Sequence, residues 1–274
     1  MTDFNLYRSM LPIITIVTPS YNQARFIKET IESILKQNYP SLEYIVIDGG
    51  STDGSKEIIR NYENQLAFWC SEKDEGQSDA IMKGFNRCSG ELIAWVNSDD
   101  VLFPGCLNAA AKCFLENGYP DIITANIAYI DAKSNITRFI RVPRQSRFFF
   151  FRGVWHGTAP CVFFKRSLFV KVGGVQKKYK LSMDLDLWVR MMKAGARVVH
   201  ITSYLGGYRW HKSSKTVRSI TNRSTQENHE TTEILNEHLH GSTPLTRAFW
   251  RITYKIYQTI NFNYIIAYND LKKT

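Results

Sequence analysis

Two adjacent carboxylates, Asp99 and Asp100, stand directly after the apolar run Leu92-Ile93-Ala94-Trp95-Val96 and the polar pair Asn97-Ser98. Carboxylates so close to an apolar segment are costly unless water or a cation neutralises them. Hard oxygen ligands of this kind suit Mg2+ or Mn2+, ions that commonly bridge a few carboxylates to diphosphate oxygens. Two more polar clusters share the pattern: Thr18-Pro19-Ser20-Tyr21-Asn22, and Asp48-Gly49-Gly50-Ser51-Thr52-Asp53-Gly54. Asp53 reads equally well as a local cap for a helix beginning near Ser55, and the glycines as turn formers. Further on, Asp184 opens a helical pattern, where the helix dipole alone would favour a carboxylate. There is no GxxxxGK[ST] loop and no GxGxxG, so a bound cation, not a glycine cradle, would have to hold phosphate.

These clusters imply the elements that position them. Ile13 to Thr18, Tyr44 to Ile47, Leu66 to Cys70 and Leu92 to Val96 are short apolar, β-branched runs that predict strands, the first of them stopped by Pro19. Between them, Ala24 to Lys36, Ser55 to Tyr62 and Ser78 to Arg87 carry helical spacing. Continuous apolar strands alternating with helices predict a parallel sheet covered on both faces. Ligands of such sheets bind beyond the carboxyl ends of the strands, where the three polar clusters fall. In the second half, Ile122 to Ile130, Ile136 to Val142 and Cys161 to Phe164 read as strands, and Met183 to Ala194 and Thr231 to His238 as helices.

The 274 residues are 44% hydrophobic and 13% aromatic, enough to bury a sizeable core, which excludes a disordered or collagen-like chain. At about 150 residues per domain the length corresponds to two domains, or one large α/β domain with an appendage. The net charge of +10 points to an anionic partner: nucleic acid, nucleotide, phospholipid surface or phosphorylated substrate. The excess is local. From Ala132 to Met183 there is no Asp or Glu but 12 Lys and Arg, more than the whole net charge. Five cysteines without a CxxC pair read as reduced core residues, and the N-terminal apolar run is too short for a signal peptide, so a cytoplasmic location is expected. No apolar run reaches the roughly 18 residues of a membrane span, leaving only peripheral membrane contact.

In order and spacing, Thr18-Pro19-Ser20-Tyr21-Asn22, Ile47-Asp48-Gly49-Gly50-Ser51-Thr52-Asp53-Gly54, Asn97-Ser98-Asp99-Asp100 and Met183-Asp184-Leu185-Asp186-Leu187-Trp188 resemble the motifs of family 2 inverting glycosyltransferases of the GT-A fold. The resemblance covers residues 11 to 211. It implies an α/β fold with a mostly parallel nucleotide-binding sheet flanked by helices, over residues 1–212. Within that span, 11–100 would be the nucleotide-binding half and 101–212 the acceptor half, with a C-terminal helical extension over 213–274. It implies that Thr18, Pro19 and Tyr21 line the nucleoside pocket, that Asp48 bonds the base or ribose, and that Asp79 adds contacts near the nucleotide and donor sugar. Asp99 matches the metal-binding aspartate, with Asp100 and His211 as further ligands of Mn2+ or Mg2+. Asn97 replaces the first carboxylate of the family's DxD pattern. Asp184 matches the catalytic base, with Met183 where the family usually has Glu. Trp155 and His156 fall where the family builds its acceptor site; Trp155 reads equally as a sugar-stacking surface or as core, and a lone histidine such as His211 is more often a packing residue.

The expected activity is metal-dependent transfer of a hexosyl or N-acetylhexosaminyl group. The donor would be a nucleotide sugar, UDP-sugar foremost, and the acceptor a glycan or lipid-linked molecule in surface polysaccharide or glycolipid synthesis. The absence of the processive QxxRW motif favours single transfers. Alternatives are a catalytically inactive relative, or a basic module binding nucleic acid or anionic lipid; nucleic acid is disfavoured because no motif for it occurs. Arg144, Arg147 and Arg152 around four phenylalanines read as an interfacial patch on the cytoplasmic face of a membrane, or as a solvated basic face over a core. The Trp250 to Tyr257 stretch offers the same choice, or a homodimer contact.

Overall fold

The computed structural model describes residues 11–142, 150, 160–211, 214, 225–238 and 252–253. Its first hundred residues run β1 (Ile14–Ser20), α1 (Ile27–Leu35), β2 (Leu42–Asp48), α2 (Ser55–Arg60), β3 (Phe68–Ser71), α3 (Gln77–Phe85) and β4 (Leu92–Trp95). Then come β5 (Val101–Leu102), α4 (Cys106–Glu116), β6 (Ile122–Ile130), β7 (Ile136–Ile140), β8 (Val162–Lys165), α5 (Arg166–Lys171), α6 (Met183–Lys193), β9 (Val198–Arg209) and α7 (Thr225–His238). Among the described residues nine strands form one sheet in the order β3-β2-β1-β4-β8-β6-β9-β5, with β7 paired to β6.

The first hundred residues form a parallel sheet as expected: β1 pairs with β2 and β4, and β2 with β3, all in parallel. The remainder is mixed, with β8 antiparallel to both β4 and β6, and β6 parallel to β9. β1 is buried along its whole length, which is why it reads as a continuous apolar run without alternation. Pro19 does not stop it. In register opposite Ile47, Pro19 lies inside the strand, since its φ suits extended backbone and only one donor is lost. The strand order reverses between β1 and β4, so the crevice at their carboxyl ends is the topological switch point where ligands of open α/β sheets bind.

Alternate residues of β1 feed two cores. Ile14 and Ile16 join Ile27, Ile31 and Ile34 of α1 and Leu107 and Ala110 of α4 on one face. Val17 joins Ile81 and Phe85 of α3 and Leu187, Trp188 and Met191 of α6 on the other. A Cβ on Gly84 would stand 2.4 Å from Val17 Cγ1, so glycine lets α3 lie directly on β1. Trp188 stacks on Trp95 with centroids 5.6 Å apart, which fixes α6 against β4.

β9, a 12-residue strand, has no counterpart in the sequence expectations, because Thr202, Ser203, Gly206 and Gly207 break any apolar period. The glycines answer a packing need: a Cβ on Gly206 would meet Cys161 Sγ at 2.5 Å. The helix expected over 231–238 begins earlier, at Thr225, and packs on α6. Trp155, His156, Arg144, Arg147, Arg152 and the Trp250 to Tyr257 stretch, except Ile252 and Thr253, lie outside the described residues.

Candidate active site

The turn that follows β4 is held by side chains from three other elements. Thr30 of α1, buried, donates its hydroxyl to the carbonyls of Ser98 (3.0 Å) and Asp100 (2.7 Å). Gln77, at the start of α3, donates to Asn97 Oδ1 at 2.8 Å. Arg209, at the end of β9, donates its Nε to the Asp99 carbonyl at 2.6 Å and its backbone N–H to Asp100 Oδ1 at 2.8 Å. Asn97 Nδ2 closes the turn by donating to Asp100 Oδ2 at 3.0 Å. Asp99 is thereby presented on a braced scaffold, its side chain 17% exposed and its Oδ2 3.0 Å from His211 Nε2.

Asp100, expected as a second metal carboxylate, turns inward instead. It is 1% exposed and both its oxygens accept the bonds just described. Burial, and next the Asp99 carboxylate, push its pKa well above the usual range. Its task is to brace the turn. Asn97 is the residue this requires, because a carboxamide can accept from Gln77 while donating to Asp100, and a carboxylate can only accept.

Arg209 carries no expectation from the sequence; the structure makes it central. Its side chain is fully buried and ion-paired with Glu29 of α1 at 2.7 Å, with further bonds to Ser134 Oγ and the Asp131 carbonyl. Its guanidinium and the His211 imidazole both lie against the Phe26 ring, at 4.9 and 4.7 Å.

The residues expected to line a nucleoside pocket fall on the adjoining strand ends. Ser20 and Asp48 are register partners, and the 20–24 and 48–55 loops are cross-bonded through Asn22, Ser51 and Thr52. Asp53 joins them, accepting from Ala24 N–H and from Ser55; burial pushes its pKa up, but these bonds outweigh it and hold it low. Tyr21 is 62% exposed, Pro19 is buried, and Thr18 is buried against the Tyr44 hydroxyl. Asp48 is buried and accepts from Ser51 of the loop that follows it and from the hydroxyl of Ser71, its register partner at the end of β3.

Consecutive residues at the start of α3 link this crevice to Asp184. Gln77 holds Asn97, while the Ser78 hydroxyl lies 2.9 Å from Met183 Sδ and 3.1 Å from the Tyr179 carbonyl. Asp184 follows Met183 in the first turn of α6 and accepts the Leu185 N–H at 2.8 Å. Asp79, expected near the donor, is ion-paired at 2.6 Å with Lys177, whose ammonium holds its pKa below the usual carboxylate range. It clamps α3 to the segment that leads into α6.

Among the described residues no group of three or more His, Cys, Asp and Glu forms a complete metal cage. The Asp99 and His211 pair nevertheless fits one divalent ion. It would offer such an ion a hard carboxylate oxygen and an imidazole nitrogen, 3.0 Å apart.

Residues 15–173 match the family described as Glycosyl transferase family 2. The chain belongs to that family. TuaG of Bacillus subtilis, a glycosyltransferase named for teichuronic acid biosynthesis, is 25% identical over 204 residues, 72% of this chain and 79% of TuaG. An uncharacterised glycosyltransferase of Rickettsia typhi is 26% identical over 194 residues; the match covers 68% of this chain and 60% of the length of that relative. The GT-A fold is shared with solved glycosyltransferases. TarS 1–349 of S. aureus, in complex with UDP-GlcNAc, superposes with a TM-score of 0.60 at 17% identity, covering 84% of this chain and 73% of that one. The mannosyltransferase PcManGT of Pyrobaculum calidifontis, in complex with GDP-Man and Mn2+, gives 0.62 at 19% identity, covering 89% and 74%.

Proposed function

We propose that this family 2 chain is an inverting, metal-dependent glycosyltransferase. It would move a sugar from a nucleoside diphosphate sugar, UDP-linked foremost, to a glycan or lipid-linked acceptor in surface polysaccharide or glycolipid synthesis. The observation that carries the reading is the Asp99 and His211 pair, 3.0 Å apart, presented by a turn braced from α1, α3 and β9. The donors bound in the TarS and PcManGT structures support a nucleotide sugar, and TuaG supports a polysaccharide product.

In this reading Thr18, Pro19, Tyr21 and Asp48 form the nucleoside side of the crevice. Asp99 and His211 hold Mn2+ or Mg2+, which when bound neutralises the charge of the departing nucleoside diphosphate. Asp184 accepts the proton of the acceptor hydroxyl as that oxygen attacks the anomeric carbon from the side opposite the leaving group, inverting the configuration. Met183 in place of the family's usual Glu does not remove this base, since its sulfur serves packing against Ser78. The acceptor is assigned to the neighbourhood of Trp155 and His156, while Phe150, buried in the core on the α6 side of the sheet, supports reading the arginine and phenylalanine run as a basic face over a core and not as a membrane contact.

The test is titration with UDP, with and without Mn2+, together with turnover of a nucleotide-sugar panel. Asp99→Ala should lose metal-dependent UDP binding. Asp184→Asn should keep that binding while turnover falls about 10²- to 10⁴-fold, the usual worth of a general base. Full activity in both folded variants refutes the assignment, and metal-dependent UDP binding by a wild-type chain that turns over no sugar would mark an inactive relative.

A further inference from the structure

Helix α7 bears on the residue read above as the base. Glu230 is 6% exposed, and its carboxylate gathers three successive backbone amides: Lys180 N–H on Oε1 at 3.1 Å, and Leu181 and Ser182 N–H on Oε2 at 2.9 and 3.0 Å. Ser182 is the residue before α6, and its side chain makes no capping bond to that helix. Its hydroxyl lies instead 3.0 Å from the Thr231 hydroxyl of α7. The path of the chain into the first turn of α6, where Asp184 stands two residues after Ser182, is therefore set by acceptors from a distant helix. Bonds from amides to a carboxylate are about twice as strong as neutral ones, and burial of Ile234 and Leu235 docks the helix that delivers them.

The surrounding contacts act in the same direction. Lys178 is paired with Glu233 and Glu237 at 3.5 and 3.4 Å, and the Tyr179 hydroxyl donates to Glu233 at 3.3 Å. The donor side is built on β1, β4 and α3, and α3 takes its seat on β1 at Val17 without α7, although Ser78 and Asp79 at its start also touch the 177–183 segment. Loss of the α7 contacts should therefore displace the base and leave the nucleotide crevice standing.

We infer that Glu230 is a positioning residue for Asp184, holding residues 180–182 so that the first turn of α6 faces the donor only when α7 is docked. This rests on the reading of Asp184 as the base, and the experiment separates the two. In the full chain, Glu230→Gln and Glu230→Ala are compared with wild type by amide hydrogen exchange, by UDP titration with Mn2+, and by turnover of whichever of UDP-GlcNAc, UDP-glucose and GDP-mannose wild type uses fastest. The expected result is faster exchange across residues 180–186 with exchange across 81–85, the part of α3 seated on β1, unchanged. UDP stoichiometry and affinity stay within about twofold, while kcat falls about 10- to 100-fold, the scale set by a small misplacement of a reacting group. A disulfide formed in Ser182→Cys/Thr231→Cys should restore kcat to Glu230→Ala by holding the same approach covalently.

Unchanged exchange across 180–186 overturns the inference whatever the activity. So does unchanged kcat, or a loss of kcat matched by an equal loss of UDP stoichiometry, which would report only partial unfolding. If Asp184→Asn is inactive while Glu230→Gln is fully active, this inference alone fails. If Asp184→Asn keeps full activity, the base assignment fails and takes this inference with it.

Discussion

At the scale of single residues, the departure of Asn97 from a DxD pattern follows from its neighbours. Asp100 is buried beside it and needs a donor, while Gln77 needs an acceptor, and only a carboxamide satisfies both. Asn97→Asp should therefore create no better metal site. It should cost about 1–3 kcal/mol in denaturant unfolding, because it sets a second carboxylate against a buried one and removes a bond, and the Mn2+ dependence of UDP binding should not improve. Arg209 presents the opposite case, a charge whose value lies in its bonds to three elements. Arg209→Gln leaves Glu29 without its cation and the Asp99 carbonyl without its donor. An unfolding cost of about 3 kcal/mol is expected, with weaker Mn2+-dependent UDP binding, since His211 stands two residues away.

At the scale of elements, α3 is the piece that joins the two sides of the crevice, and its seat on β1 depends on Gly84. Gly84→Ala would drive a methyl group into Val17 and should cost about 1–3 kcal/mol. Val17→Ala in the same chain should return part of that loss in a double-mutant cycle, where independent effects would simply add. The seam between α6 and α7 carries a pH signature. Burial, with Lys193 nearby, lowers the pKa of His238 below its ordinary 6.5. A histidine that resists protonation when folded contributes stability above pH 6.5 and loses it as the pH falls through the lowered value, because the unfolded chain takes up the proton first. Thermal midpoints should drop over that interval, and His238→Gln should flatten this part of the profile.

At the scale of the whole molecule, the basic stretch from residue 132 to 183 looks different once folded. Lys165 pairs with Asp121, Lys177 with Asp79 and Glu75, and Lys178 with Glu233 and Glu237, while Lys180 donates to the Glu75 carbonyl. Acids distant in sequence thus neutralise part of what a linear count leaves as surplus. The Lys178 pairs, with the buried Ile234 and Leu235, fasten α7 to the body of the protein, so docking of α7 is part of the fold. Ile234→Ala, which empties a fully buried site on α7, should cost about 2–5 kcal/mol in global unfolding. If α7 were a loosely tethered appendage, the main transition would not move.

The sequence alone determined the parallel strands, the helices between them and the order of the polar clusters at their ends. These are local patterns, written in runs of apolar residues a few positions long and in the side chains that follow them. The resemblance of Asn97 to Asp100 and of Met183 to Trp188 to family motifs marked the candidate site on the same local basis. What only the tertiary structure decided is which of those carboxylates faces solvent. Asp99 stands beside His211, 112 positions away, while Asp100, one residue further, turns inward to meet Arg209. Arg209 reaches Glu29 across 180 positions, and Glu230 reaches Ser182 across 48. A side chain's part in such contacts depends on what the folded chain brings next to it, and no short-range periodicity encodes that.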